Sequence, residues 1–314
     1  MDHVTLLKRI VSNVEKVIVD KRFSIELILM TLICRGHVLI EDVPGVGKTS
    51  MASALAKSLS CSFQRIQFTP DIMPSDITGF SLYSPKTGEF EYKRGAILHQ
   101  VVLADEINRT SPKTQSSLLE AMEEKQVTVD GVTYRIKEPF IVLATQNPVE
   151  QLGTYPLPEA QMDRFFMRIS MGYPSKEEEM KMLSRFRQEN PLKSLQAVVA
   201  GEHIVAIQQL VEQVHVDARI NQYIVNLVTH TRENPYTALG ASPRASISLY
   251  KAAQAWALYQ ERSYVLPDDV IEMCGYVLAH RIVLRQEAKA KKVTQQDIVA
   301  MALKDTDVPL VRSW

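Results

Sequence analysis

Residues 37–59 read HVLIEDVPGVGKTSMASALAKSL, which places a glycine-rich turn between a short apolar run and a helix-forming stretch. The run HVLI is typical of a buried strand, and the stretch MASALAKSL is typical of a helix. A strand, a glycine-rich turn and a helix in this order direct backbone N–H groups and a helix N-terminus at a polyphosphate. We therefore predict a phosphate-binding turn at the end of a core strand.

The residues predicted to bind the nucleotide phosphates are Pro44, Gly45, Val46, Gly47, Lys48, Thr49 and Ser50. Lys48 is expected to reach the terminal phosphates, and the Thr49 hydroxyl is expected to ligate Mg²⁺. The pattern GxxxxGK[ST] is incomplete, because Asp42 occupies the position of its first glycine. Gly45 and Gly47 remain where the backbone must approach phosphate, so we expect the loop to function. The alternative is a glycine-rich turn ahead of a surface helix.

A second chemical signal is the run VVLADE at 101–106, a small apolar strand that ends in two adjacent carboxylates. Such a strand places Asp105 beside the phosphate turn as an outer-sphere partner of Mg²⁺. Glu106 then points the other way and can polarise a water for in-line attack on the γ-phosphate. Taken alone, the run fits equally well a strand that meets an aspartate-capped helix. Its position after a phosphate turn favours the catalytic interpretation.

Further short apolar runs at 63–68, 101–104 and 140–144 alternate with helical segments such as 112–125. Continuous apolar strands that alternate with helices indicate a parallel sheet covered on both faces, that is, an α/β domain. We expect this sheet to end near Ile169.

Two β-hairpins are predicted to interrupt this alternation. The first joins FSLY to EFEY across residues 84–88, with aromatic residues on both arms. The second is QVTVDGVTYRI, in which Asp130 and Gly131 form a two-residue turn between alternating strands.

The chain has 314 residues, which is too long for one compact core and suits two domains. We expect residues 1–172 to form the α/β core with its hairpins and residues 173–202 to be a connector. The connector contains a charged segment, 175–188, that is predicted to be helical. Residues 203–314 show helical patterns, so we predict a small helical domain without strands.

Charge and cysteine usage exclude several classes of protein. Lysine plus arginine and aspartate plus glutamate balance at 36 each, so no net field attracts nucleic acid or anionic lipid. Three separated cysteines without a CxxC pair argue against a zinc ribbon or a disulfide framework. The N-terminus is charged and amphipathic, unlike a secretory signal, and the apolar stretch 25–40 is too short to span a bilayer. We therefore expect a soluble, cytoplasmic protein.

The chain carries five longer strings in the order and spacing typical of one family: EDVPGVGKT, QFTPDIMPSDITG, VLADEINRTSPKTQSSLLEAMEEKQVTVDG, ATQNP and LPEAQMDRF. On these strings it resembles the MoxR-type AAA+ ATPases, relatives of the magnesium-chelatase ATPase subunits, over nearly its whole length. The resemblance implies a P-loop AAA+ αβα parallel-sheet domain followed by a small all-α lid domain. It also implies hydrolysis of ATP with Mg²⁺ as cofactor.

The resemblance assigns roles to three further residues. Asn147, which ends the strand in ATQNP, matches the first sensor of the γ-phosphate. Arg164 in DRF matches the arginine finger that reaches the ATP of a neighbouring subunit. Arg244 in GASPRAS matches the second sensor, and the resemblance leaves open whether it serves its own nucleotide or the adjacent one. Without the resemblance, Asn147 is an ordinary turn residue before proline, and Arg164 is a surface residue.

Relatives of this family act as chaperones in the maturation of other proteins, often beside partners with von Willebrand A domains. The resemblance therefore implies a homo-oligomer, a hexamer in the simplest case, that remodels a protein client. A chelatase-type motor subunit shares every motif. A DNA-directed motor would need a basic surface, for which 285–292 (RQEAKAKK) is the one dense patch. A nucleotide-controlled scaffold with negligible turnover is the remaining alternative.

Overall fold

The computed structural model describes residues 3–147, 153–180 and 191–310. The strands, in chain order, are β1 (Val38–Glu41), β2 (Phe63–Gln67), β3 (Gly79–Ser84), β4 (Glu89–Arg94), β5 (Val101–Asp105), β6 (Gln126–Val129), β7 (Val132–Arg135), β8 (Ile141–Gln146), β9 (Met167–Ile169), β10 (Thr237–Leu239) and β11 (Val283–Leu284). Five of them form a parallel sheet in the order β2-β5-β8-β1-β9. The predicted parallel sheet, with its end near Ile169, is confirmed.

Among the described residues, six helices precede β9: α1 (His3–Val14), α2 (Arg22–Ile33), α3 (Lys48–Ser58), α4 (Pro74–Thr78), α5 (Pro112–Glu124) and α6 (Glu159–Met162). Those that follow are α7 (Pro191–Ser194), α8 (Gly201–Val211), α9 (Ala218–Glu233), α10 (Pro243–Tyr259), α11 (Pro267–Leu278), α12 (Gln286–Ala290) and α13 (Gln295–Asp305). Two short 3₁₀ turns, Ile107–Arg109 and Ala279–Arg281, lie among them.

The sheet has a hydrophobic core on each face because its central strands, β1, β5 and β8, are buried over nearly their whole length. Alternate side chains of one strand enter opposite cores. On β5, Val101 and Leu103 join the core that contains α1, α2 and α3, whereas Val102 and Ala104 join the core that contains α5. Helices on both faces leave the ends of the strands as the accessible part of the sheet.

Both predicted hairpins are confirmed as antiparallel pairs, β3 with β4 and β6 with β7. Asp130 and Gly131 both adopt positive φ, 50° and 79°, as a two-residue turn of this kind requires. The two hairpins contact each other through Tyr92 and Tyr134, whose stacked rings have centroids 3.9 Å apart.

Residues 201–310 are mainly helical and contain a small two-stranded sheet. Strands β10 and β11 pair in an antiparallel sense, so the prediction of a domain without strands is wrong in this respect. Their three and two residues are too few to show an alternating pattern, and the partners are more than forty residues apart. Arg285 fastens the pair, since its Nε donates to the carbonyl oxygen of Thr237 at 3.0 Å.

In the connector, residues 176–180 are helical, and the rest of the helix predicted at 175–188 lies outside the described residues. The predicted α/β core followed by a smaller helical region is confirmed, and the boundaries at 172 and 202 stay predictions. Within the described ranges, no helix combines the length and apolar character that crossing a membrane requires.

Candidate functional site

A cavity of about 310 Å³ opens at the carboxyl ends of the central strands. The residues that line it are Pro44, Gly45, Gly47, Lys48, Thr49, Ser50, Arg65, Asp105, Glu106 and Asn147. Strands β1, β5 and β8 are parallel neighbours, so the residues that follow them meet at one edge of the sheet. All lining residues except Arg65 are predicted from the sequence as site residues.

The phosphate turn has the backbone geometry of an anion site. Gly45 and Gly47 have φ values of 88° and 93°, a region that favours glycine, and Gly47 directly precedes α3. The first N–H groups of α3 therefore lie at the cavity. The N-terminus of a helix stabilises a negative charge. Val46 packs against the hydrophobic core and does not line the cavity, so it can contribute only through its backbone.

Lys48 is hydrogen-bonded to the backbone of Asp42, just before the phosphate turn. Lys48 Nζ donates to the carbonyl oxygen of Asp42 at 3.0 Å, which keeps the ammonium at the phosphate turn. The Asp42 carboxylate is buried and accepts from Ser170 Oγ at 2.8 Å and from the N–H groups of Met171 and Gly172. Asp42, which departs from the phosphate-loop pattern, thus hydrogen-bonds the turn to the segment after β9.

Asp105 is paired on both of its carboxylate oxygens. Its Oδ1 accepts from Thr145 Oγ1 at 2.6 Å, and its Oδ2 lies 2.6 Å from Arg65 Nη2 and 3.1 Å from Arg65 Nε. The carboxylate of Asp105 and the hydroxyl of Thr49 line the same cavity. Hydroxyl and carboxylate oxygens are the donors that Mg²⁺ prefers in phosphate sites, so these two residues fit the cation.

Glu106 has φ 60° and ψ 50°, a left-handed conformation that is uncommon outside glycine and is often kept at functional sites. Its carboxylate accepts from Gln67 Nε2 at 2.8 Å and from Arg109 Nη1 at 2.9 Å. Its N–H donates to Thr145 Oγ1 at 2.9 Å. Asp105 and Glu106 therefore have separate side-chain partners, and Thr145 links them.

The sequence predicts no role for Arg65 or Gln67. Both lie on β2, where Arg65 is in register with Leu103 and Gln67 with Asp105. A polar residue at alternate positions of a sheet strand is a recognisable signal, but only the pairing of β2 with β5 shows which carboxylates these side chains meet.

Arg164 and Arg244 do not line this cavity. They lie together in a second cleft of about 320 Å³, which also contains Arg35, Lys125, Lys251 and Arg281. Both contact the same carboxylate: Arg244 Nη2 is 2.8 Å from Glu123 Oε1, and Arg164 Nε is 3.4 Å from Glu123 Oε2. The structure therefore groups the two predicted arginines with each other and separates them from the phosphate turn of their own chain.

Both parts of the chain match known protein families. The model of the ATPase family associated with various cellular activities (AAA) matches residues 37–167, and the model of the AAA lid domain matches residues 229–301. The chain is 53% identical over 308 residues to YeaC of Bacillus subtilis, covering 98% of this chain and 96% of that protein.

The chain is 39% identical over 319 residues to chaperone MoxR1 of Mycobacterium tuberculosis, covering 99% of this chain and 84% of that protein. A solved structure from Cytophaga hutchinsonii, 40% identical, superposes with a TM-score of 0.92 and covers 98% and 96% of the two chains. The chain therefore belongs to the MoxR family of AAA+ ATPases.

Proposed function

We propose that the protein is a Mg²⁺-dependent ATPase that works in the cytoplasm as a ring of identical copies, in the simplest case a hexamer, and remodels a protein client. The observation that carries the proposal is the convergence of the phosphate turn with Asp105, Glu106 and Asn147 around one cavity. These groups come from three strands and supply, in one place, the charges and proton acceptor that phosphoryl transfer to water uses.

In this proposal Lys48 and the first N–H groups of α3 bind the β- and γ-phosphates. Thr49 would ligate Mg²⁺ directly and Asp105 would hold it as an outer-sphere partner, and the bound cation would neutralise charge on the phosphates. Glu106 accepts the proton of the attacking water, and it must first loosen its contacts with Gln67 and Arg109. Asn147 orients the water or the γ-phosphate.

The position of Arg164 and Arg244 supports a shared site. Neither arginine lines the cavity of its own chain, and both lie in the second cleft. We infer that they act on the nucleotide of a neighbouring copy, since a cation supplied from another subunit couples hydrolysis to assembly.

The remodelling role is proposed from the relative that is named chaperone MoxR1. The partner we propose is a protein client, with a von Willebrand A-domain protein as the first candidate. A chelatase-type motor subunit differs only in its partner.

The hydrolysis proposal is tested with three purified forms: the wild type, Lys48→Ala and Glu106→Gln. The wild type should hydrolyse ATP only with Mg²⁺ present. Lys48→Ala should lose nucleotide binding, while Glu106→Gln should keep it and lose roughly 10²–10⁴-fold in turnover. Unchanged turnover in Glu106→Gln would contradict the role of Glu106 and favour a scaffold without turnover.

The client is sought with the same variant. Glu106→Gln should retain ATP and therefore hold its client in a pull-down.

Ring size is measured by light scattering of the protein with ATP. Stimulation of hydrolysis by DNA would instead favour the DNA-directed motor.

A further inference from the structure

The backbone around Arg164 is held by a buried turn of the helical region, Ala279–Arg281. Arg281 has a side chain that is only 2% exposed, and its Nε lies 2.8 Å from Asp163 Oδ1. Its Nη2 also donates to the carbonyl oxygen of Phe165 at 2.7 Å. Arg281 therefore contacts the residue before Arg164 and the residue after it.

Other groups of the same turn complete this attachment. His280 Nε2 lies 3.0 Å from the carbonyl oxygen of Phe165, which is thus contacted by two side chains. Arg281 Nη1 donates to the carbonyl oxygen of Val277 at 2.6 Å, which fixes the guanidinium to its own helix. Burial lowers the pKa of Arg281 to about 10, so the group stays charged at neutral pH, opposite the Asp163 carboxylate.

Asp163 also contacts the element that carries Arg244. Ser242 Oγ donates to Asp163 Oδ2 at 2.9 Å. Ser242 is the N-cap residue of α10, and Arg244 lies in the first turn of that helix. Asp163 therefore directly precedes Arg164 in the chain, and its hydrogen-bond partner Ser242 lies two residues before Arg244.

We infer that Arg281 is a positioning residue: through Asp163 it sets Arg164 and Arg244 as one unit for the nucleotide of the neighbouring copy. The inference rests on the shared site proposed above. A buried ion pair is a weak source of stability compared with apolar packing, so we assign this one a role in placing its partners. Here the partners are the two segments that carry the arginines.

The test uses Arg281→Met in the full-length protein, alone and mixed with Glu106→Gln before ring assembly. Alone, Arg281→Met should bind ATP as the wild type does and lose at least about tenfold in hydrolysis, which is about 1.4 kcal/mol of transition-state stabilisation. In mixed rings, hydrolysis should rise above the sum of the two separate variants. The Glu106→Gln copies then supply ordered arginines to sites that keep Glu106.

A matched control is Arg262→Met. Arg262 also forms an ion pair with a buried aspartate, Asp269, but it contacts neither Asp163 nor Phe165. This variant should lower thermal stability and leave hydrolysis per folded ring unchanged. If Arg262→Met and Arg281→Met lose hydrolysis equally, the loss reflects stability, and the inference is overturned.

A second control separates this inference from the proposed function. Arg164→Ala mixed with Glu106→Gln should also regain hydrolysis. If that mixture stays inactive, the shared site is wrong and the inference fails with it. If it regains activity while folded Arg281→Met does not, or if Arg281→Met hydrolyses ATP like the wild type, only the inference is overturned.

Two milder variants decide the matter if Arg281→Met does not fold. Ser242→Ala removes only the hydroxyl contact with Asp163, and Arg281→Lys keeps the charge without the planar fork. Each should lower turnover at unchanged ATP affinity and be rescued in mixed rings. Wild-type turnover in both would overturn the inference.

Discussion

Arg65 and Asp105 form an ion pair inside the candidate site, with Nη2 and Oδ2 2.6 Å apart. Asp105 is only 8% exposed, and it is the carboxylate proposed to hold Mg²⁺. Under the proposed assignment, the guanidinium and the cation compete for this carboxylate, so binding of Mg²⁺ with nucleotide would weaken the contact.

We expect Arg65→Met to bind nucleotide at lower Mg²⁺ concentrations than the wild type, because the competing cation is gone. Stability without nucleotide should fall by about 1 kcal/mol, since the arginine is half exposed and solvent weakens the pair. Titration of a fluorescent ATP analogue against Mg²⁺ measures the first effect, and thermal denaturation measures the second. The control is Arg109→Met, which removes the cation paired with Glu106 instead of the one paired with Asp105. An unchanged Mg²⁺ midpoint in Arg65→Met would contradict the competition.

Thr145 links the two acidic residues and is fully buried. Thr145→Val keeps the shape and leaves Asp105 Oδ1 and the N–H of Glu106 without this partner. We expect a loss of about 2 kcal/mol in the free energy of unfolding and slower hydrolysis. Thr145→Ser keeps the hydroxyl and should lose much less. Urea denaturation and steady-state turnover give the comparison, and equal behaviour of the two variants would refute the linking role.

Asp42 occupies the position of a glycine in the phosphate-loop pattern, and its carboxylate accepts from three donors. Asp42→Gly restores the pattern but removes these contacts, so we expect it to destabilise the protein by about 2–3 kcal/mol without tightening nucleotide binding. Asp42→Asn should be intermediate. Thermal denaturation measures the stability, and nucleotide titration measures the affinity. Tighter nucleotide binding by Asp42→Gly would contradict a purely structural role for Asp42.

His37 is buried between β8 and α5, with Nδ1 accepting from the N–H of Val142 and Nε2 3.1 Å from the carbonyl oxygen of Met122. Burial lowers its pKa from 6.5 to about 4. The unfolded chain therefore binds a proton at His37 more readily than the folded chain does. Stability should be full above about pH 6.5 and should fall as the pH drops toward 4, by up to about 3 kcal/mol from this residue.

The measurement for His37 is the free energy of unfolding of the wild type and of His37→Gln between pH 7.5 and 4.5. Glutamine offers a donor and an acceptor but does not titrate, so the advantage of the wild type should shrink as the pH falls. A constant difference across this range would exclude His37 as the source of the pH dependence.

Much of the fold is predictable because its signals are local. The apolar runs, the phosphate turn and the Asp130-Gly131 hairpin each depend on residues within a few positions of one another. Strands β10 and β11 escape prediction because three and two residues carry no period, and the two strands lie far apart in the chain.

Neighbouring residues in the chain are enough to specify part of the chemistry: a glycine turn before a helix, two acids at the end of an apolar strand, and the strings of one family. Which side chains meet across the sheet, and across the two parts of the chain, depends on the folded structure. Arg65 reaches Asp105 because β2 pairs with β5, and Arg164 lies beside Arg244 because the helical region packs on the core. Contacts of this kind depend on the packing of distant segments, which no local pattern encodes.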